Sequence, residues 1–155
     1  GLVVANQNND SYVGITVTDG KITLAEKYAV IIVGLPIVAD LETLNIDTPS
    51  SATMIDRNKL TTKVTLFVEN SRGIWAGSKP PTDDSVDIKE GLTEFKLRED
   101  ENYDLPPDLK TEPVDVNIEA TWNNNGRVFV RQIDPVPVTV LSVTPSGFVP
   151  VPGGN

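Results

Sequence analysis

The sequence predicts an all-β protein: an antiparallel β-sandwich or barrel-like domain with long acidic loops. Several segments alternate apolar and polar residues with a period of two, as a half-buried strand requires. Residues that favour turns, chiefly Asn, Asp, Gly and Pro, separate these segments. No stretch carries the long apolar stripe of an amphipathic helix. About seven to nine short strands of this kind are buried most simply by packing sheet on sheet or by closing a barrel.

The first predicted strand covers residues 12–18, whose sequence is YVGITVT. Asp19-Gly20 then predicts a tight reversal, and residues 21–24 begin the strand that returns from it. Residues 28–33 (YAVIIV) are a continuous run of mainly β-branched residues, which is typical of a strand covered on both faces. We therefore expect an early hairpin followed by a buried strand.

Residues 37–46 allow two interpretations. Val38, Leu41 and Leu44 lie at helical spacing, whereas Leu44 and Ile46 could belong to a short strand. Because Gly and Pro immediately precede this segment, we favour an irregular bend followed by a strand.

Residues 59–70 predict a long strand in which Val64, Leu66 and Val68 share one face. Further short strands are predicted at residues 74–76, 92–97 and 136–143. Two acidic, Pro-containing loops separate them, at residues 77–91 and 98–112.

Residues 114–135 predict a second hairpin. Alternation along residues 114–122 places Trp122 on the same face as Ile118, so we expect Trp122 to be a core aromatic. Asn and Gly at residues 123–126 tolerate the positive φ angles of a turn. Residues 127–133 then form the return strand, which ends where two prolines remove ladder donors.

The length of 155 residues suits one domain, which we place at residues 1–143, with a flexible Pro/Gly-rich tail at residues 144–155. The first residue is not Met, so we expect the chain to be a piece of a longer polypeptide or a processed product. The longest apolar run, residues 29–39, is too short and too interrupted to span a membrane.

Composition excludes several chemistries. The chain contains no Cys and no His, which rules out disulfides, Cys/His zinc sites and Ser-His-Asp triads. The net charge of −9 disfavours binding to nucleic acid phosphates, which requires a basic surface. No phosphate-binding loop or cofactor motif is present. We therefore predict neither a cofactor nor an enzymatic activity.

Acidic clusters are the remaining candidates for chemistry. Asp83, Asp84 and Asp87 could supply oxygen ligands to calcium, as could a second cluster formed by Asp100, Glu101 and Asp104. Neither has the spacing of an EF-hand loop, so solvated loop charge is the favoured interpretation. Carboxylate pairs near a Trp would suit glycoside hydrolysis, but the sequence does not fix their separation.

Two further groups of residues suggest functional roles. Gly34, Pro36, Arg72 and Gly73 lie in sharp turns, where they could shape the backbone or contact a neighbouring subunit. Arg72 could pair there with a carboxylate of that subunit. Trp75 and Tyr103 could stack on sugar rings if they were exposed.

Three blocks of the sequence carry a resemblance to a known family. They read G-L-P-x-x-A-D-x-x-T-L from residue 34, S-R-G-I-x-x-G from residue 71, and W-x-x-x-G-x-V-x-x-R-Q-x-D-P-x-P from residue 122. In this order and spacing the chain resembles the carboxy-terminal region of the tail nozzle, or tubular tail hub, proteins of short-tailed bacteriophages. The likeness covers most of residues 28–143.

The resemblance implies a structural protein of the virion. It implies a homo-oligomer, a hexameric ring in the full-length protein, that meets other tail or adaptor proteins and forms part of the conduit for genome ejection. DNA would pass this ring without tight binding. Family members are several times longer than this chain. The competing hypothesis is a carbohydrate-binding β-sandwich used for host attachment, and burial of Trp75 would favour the structural role over it.

Overall fold

The computed structural model describes residues 2–6, 11–24, 26–28, 30–35, 37–47, 58–95, 107–123 and 125–148. Within these ranges every regular element is a β-strand, and none is a helix that could cross a membrane. The strands are β1 (Leu2–Asn6), β2 (Ser11–Ile15), β3 (Ile31–Gly34), β4 (Ala39–Glu42), β5 (Lys59–Val68), β6 (Ile74–Gly77), β7 (Thr93–Glu94), β8 (Pro113–Asn117), β9 (Trp122–Asn123), β10 (Phe129–Gln132) and β11 (Val140–Phe148). The predicted all-β class is confirmed.

The strands form three antiparallel sheets. Sheet 1 has the order β2-β1-β3, sheet 2 the order β4-β10-β6-β7, and sheet 3 the order β11-β5-β8, with β9 also paired to β5. Each described sheet has two open ends, so none of them closes into a barrel.

The core lies between sheets 2 and 3. In β5 the side chains of Val64, Leu66 and Val68 alternate with more exposed neighbours, and all three are completely buried. They belong to one apolar cluster with Ile74 and Ala76 of β6, on the other sheet. The predicted strand at residues 59–70 is confirmed, and the two four-stranded sheets pack face to face as a sandwich.

The hairpin predicted at residues 114–135 is wrong. The strand β8 pairs with β5 in sheet 3, whereas β10 lies in sheet 2 between β4 and β6. Both edges of β10 are thus filled by other strands, and the chain crosses between sheets instead of folding back. Gly126 has the expected positive φ of 62°, but it lies in the segment that crosses between the sheets. Alternation identified the strands without identifying their partners.

The early turn is confirmed. Asp19 and Gly20 have φ angles of 51° and 73°, and Thr18 and Lys21 exchange two backbone hydrogen bonds of 2.9 Å across them. The expectation that residues 28–33 are covered on both faces is wrong, because Ile31 and Val33 are exposed. Their strand β3 lies at the end of sheet 1, where its only described partner is β1.

Two boundaries also differ from expectation. The strand predicted after the bend is β4, which begins at Ala39 and ends before Leu44. The strand β11 continues to Phe148, so residues 144–148, assigned to the tail from the sequence, pair with β5. Backbone pairing with β5 outweighs the preference of Pro145 and Gly147 for turns in this stretch.

Candidate functional site

The three motifs that carry the resemblance are distant in sequence but touch in the fold. A Cβ atom placed on Gly34 of the first motif would lie 2.5 Å from the Cβ atom of Pro135 in the third. One placed on Gly73 of the second motif would lie 3.2 Å from the Oδ2 atom of Asp134. Glycine is needed at both positions because the neighbouring chain approaches too closely for a side chain.

Arg131 of the third motif is hydrogen-bonded to Asp40 of the first motif and to the loop after β6. It lies on β10 with only 3% of its side chain exposed. Its Nε and Nη2 atoms donate to the Asp40 carboxylate over 2.7 and 2.8 Å, which is the bidentate geometry that guanidinium favours. Its Nη1 atom donates to Asp84 over 2.6 Å and to the Ile88 carbonyl over 3.0 Å. One buried cation therefore holds β4, β10 and the loop after β6 together.

These contacts keep the guanidinium group of Arg131 charged. The hydrogen bond to Asp40 is the largest cause that raises the pKa of Arg131 above its ordinary value, and the hydrogen bond to Asp84 adds to it. The guanidinium is therefore permanently charged and serves as a clamp. We define the motif junction as the set Gly34, Asp40, Gly73, Arg131, Asp134 and Pro135.

The first acidic cluster organises its own loop. Asp83 accepts hydrogen bonds from the Ser85 amide and hydroxyl groups, over 2.9 and 2.6 Å, and these bonds lower the pKa of Asp83. Asp87 accepts from the Lys89 amide over 2.9 Å, and Asp84 binds the buried guanidinium. Loop geometry thus accounts for all three carboxylates. Within the described ranges, no three Asp or Glu side chains are grouped as a metal site would need.

Arg72 and Gly73 lie in the turn between β5 and β6. The Arg72 side chain is 5% exposed, and its Nη1 atom donates to the Pro107 carbonyl over 2.8 Å. The guanidinium thus already has a partner within the chain, and a carboxylate partner on a neighbouring subunit stays a prediction. Gly73 has a φ of 68° and packs against Val136. Both residues occupy positions that shape this turn.

The two tryptophans differ from expectation. Trp122 is 49% exposed, so its assignment to the core is wrong. The reason is that β8 ends at Asn117 and Trp122 begins the separate strand β9, which interrupts the alternation. Trp75 is half-buried, and the Nζ atom of Lys89 lies 4.2 Å from its ring centroid. One face of Trp75 is therefore covered by a cation, which leaves it a poor platform for a sugar.

Several residues of interest lie outside the described ranges. They are Pro36, Asp100, Glu101, Tyr103 and Asp104.

A polar groove of about 190 Å³ lies beside Arg127 and Glu42. Ser78, Lys79 and Thr121 complete most of its lining. Arg127 donates to Asn45 and pairs with Glu42 across 3.3 Å, so the basic group faces the groove already partnered. The groove offers hydroxyl and amide groups in an open, mixed-charge setting.

The sequence did not reveal that many apolar side chains are exposed from β3 to the segment after β4. Seven large aliphatic side chains within residues 31–44 are exposed, and we call them the apolar strip: Ile31, Val33, Leu35, Ile37, Val38, Leu41 and Leu44. Residues 29–39 include the longest apolar run of the sequence, which predicted burial. A second groove, of about 240 Å³, lies beside the strip between Leu41 and Val138.

No protein-family model matches the chain, and no curated protein matches it either. The motif junction and the apolar strip, together with the resemblance of the three motifs, are therefore the features that bear on function.

Proposed function

We propose that the chain is a structural module of a phage tail, part of the nozzle or hub ring of a genome-ejection conduit. The observation that supports it is the motif junction. Three blocks that resemble one family, separated by about 30 to 50 residues, meet in the fold: the first and the second each contact the third, which contains Arg131. Their glycines permit close packing and their charges pair internally. Residues that pack and pair within the chain in this way hold the backbone in a fixed shape, as the wall of a conduit requires.

Charge distribution suits a conduit. The chain carries a net charge of −9, and several of its arginines are held by partners within the chain, Arg127 by Glu42 and Arg131 by Asp40 and Asp84. Guanidinium groups that are already paired are poor ligands for phosphate. A surface of this kind repels duplex DNA at a distance and does not retain it on contact. DNA passes such a surface without tight binding.

Location in the particle is the direct test. Antibodies raised against the purified chain should label the tails of short-tailed phage particles that carry its gene, as seen by gold labelling in electron microscopy. Label confined to capsids, or particles that remain unlabelled, would overturn the proposal. Retention of double-stranded DNA at low salt, where attraction is least screened, would overturn the conduit role on its own.

Carbohydrate binding is the second candidate, and the exposure of Trp122 is the observation that favours it. An exposed aromatic ring beside polar groups is the usual way to hold a sugar. Trp122 does not itself line the polar groove, whereas its neighbour Thr121 does. A Trp122→Ala variant that loses binding to host polysaccharide, while a Trp75→Phe variant keeps it, would establish this function instead.

A further inference from the structure

We propose that the apolar strip is the surface on which a second copy of this chain docks. The inference rests on the proposed structural function and specifies the contact through which copies meet. It starts from the strip itself: Leu44 is 87% exposed, Leu35 is 75% exposed, and five further aliphatic side chains accompany them.

The size of the strip suits a subunit contact. Its seven side chains expose on the order of 700 Å², close to the roughly 800 Å² that one partner contributes to a standard interface. Transfer of this surface out of water is a substantial driving force for association.

Charge identifies a second copy as the occupant. Two copies that each carry −9 repel each other unless they meet where their surfaces carry little net charge. The only ionisable residues within residues 31–44 are Asp40 and Glu42. Asp40 pairs with Arg131 and Glu42 pairs with Arg127, so both carboxylates already face a cation. Arg131 is shared with Asp84, which leaves a local charge of −1 (three carboxylates against two guanidinium groups), compared with −9 for the whole chain. A strongly basic partner would instead choose the acidic loop at residues 77–91.

Backbone and shape add to the fit. Within the described ranges β4 pairs with β10 alone, so its other edge is open to a strand of a second copy. The groove of about 240 Å³ at Leu41 and Val138 adjoins this edge and is lined largely by aliphatic side chains. It is large enough to receive one aliphatic side chain, such as Leu44 of the opposing copy. One copy thus provides the exposed Leu44 side chain, and the other provides the groove that can receive it.

The test measures self-association of the full 155-residue chain by sedimentation velocity over about 1–300 µM, a range that detects weak apolar interfaces. The wild-type mass should rise with concentration. Leu44→Asp and Ile37→Asp should each weaken association at least about tenfold, because each buries a carboxylate in the contact. Val86→Asp is the matched control: it adds the same charge at a site that is 82% exposed and outside the strip, and association should be unchanged.

Salt provides an independent readout. Added salt screens the repulsion between acidic copies, so wild-type association should strengthen from low to moderate ionic strength. A wild-type chain that stays monomeric throughout would overturn the inference, and so would equal weakening by Val86→Asp and Leu44→Asp. Thermal unfolding of each variant verifies that it is folded. A monomeric chain whose antibodies still label phage tails would remove this inference alone, whereas an oligomer absent from tails would remove the proposed function alone.

Discussion

β5 and the apolar strip contain the same kinds of side chains and have opposite environments. Val64 and Leu66 in β5 are fully buried, whereas Val33 in β3 and Leu35 just after it are exposed. The burial differs because a second sheet covers the face of β5. β5 lies between β11 and β8 and faces sheet 2, while β3 ends a sheet and has no described strand beyond it. A run of β-branched residues specifies a strand, and only its neighbours decide whether the strand is covered.

Apolar surface thus has two roles in this one chain. The face of β5 stabilises the isolated molecule because it is removed from water on folding. The strip contributes little to that folding and is available for association. The following tests separate the two roles.

The largest expected effect is at the centre of the core. Leu66→Ala should lower the free energy of unfolding by about 3–5 kcal/mol, because Leu66 is completely buried and its loss leaves a cavity. Leu44→Ala should cost less than about 0.5 kcal/mol in dilute, monomeric protein. Urea unfolding measures both, and similar losses for the two variants would contradict the assignment of Leu44 to a surface.

The next effect concerns Arg131, which holds β4 of the strip to β10. Arg131→Lys should cost about 2–3 kcal/mol, because an ammonium cannot reproduce the bidentate bond to Asp40 together with the bond to Asp84. Arg127→Lys is the matched control and should cost below about 0.5 kcal/mol, since its pair with Glu42 is solvated. Equal losses would show that Arg131 is replaceable as a clamp.

A smaller effect is expected at the turns. Gly73→Ala should cost about 2 kcal/mol, since its φ is 68° and the new Cβ atom would meet Val136 at 2.9 Å. Gly20→Ala has a similar φ of 73° but open space around it, and should cost about 1 kcal/mol. Because the two φ angles are similar, the difference in melting temperature between the two variants measures the cost of the steric contact at Gly73. A Gly20→Ala variant less stable than Gly73→Ala would contradict this assignment.

The smallest effect is electrostatic and lies on the solvent face of sheet 3. Hydrogen bonds from Lys63 and then Thr65 lower the pKa of Asp115 below its ordinary value of 3.8. Its contribution to stability is therefore present above about pH 3.8 and is lost as the pH falls through the lowered pKa. Melting temperatures of wild type and Asp115→Asn should differ slightly at pH 6 and converge toward pH 3. A gap that widens in acid would contradict this sign.

Local features of this fold were predictable from the sequence. The alternation of β5 and the Asp19-Gly20 turn depend on neighbouring residues, and both are confirmed. The exposure of Trp122 and the separation of β8 from β10 depend on which distant strands pair, and period-two alternation carries no such information. Arg131 and Asp40 each lie in a quoted motif, yet 90 residues separate them, and only the fold shows that they meet.

Hydrogen exchange compared in dilute and concentrated solution distinguishes the buried strand β5 from the exposed apolar strip. Backbone amides of β5 should be equally protected at both concentrations, because their burial is complete within one molecule. Amides of β3 and β4 bonded to β1 and β10 should be protected at both concentrations. Amides of residues 31–44 that point away from these partners should exchange rapidly in dilute protein and become protected in concentrated protein, as a second copy covers β4 and the strip. Protection of these latter amides that does not change with concentration would contradict the division of this chain into a folded core and a surface for assembly.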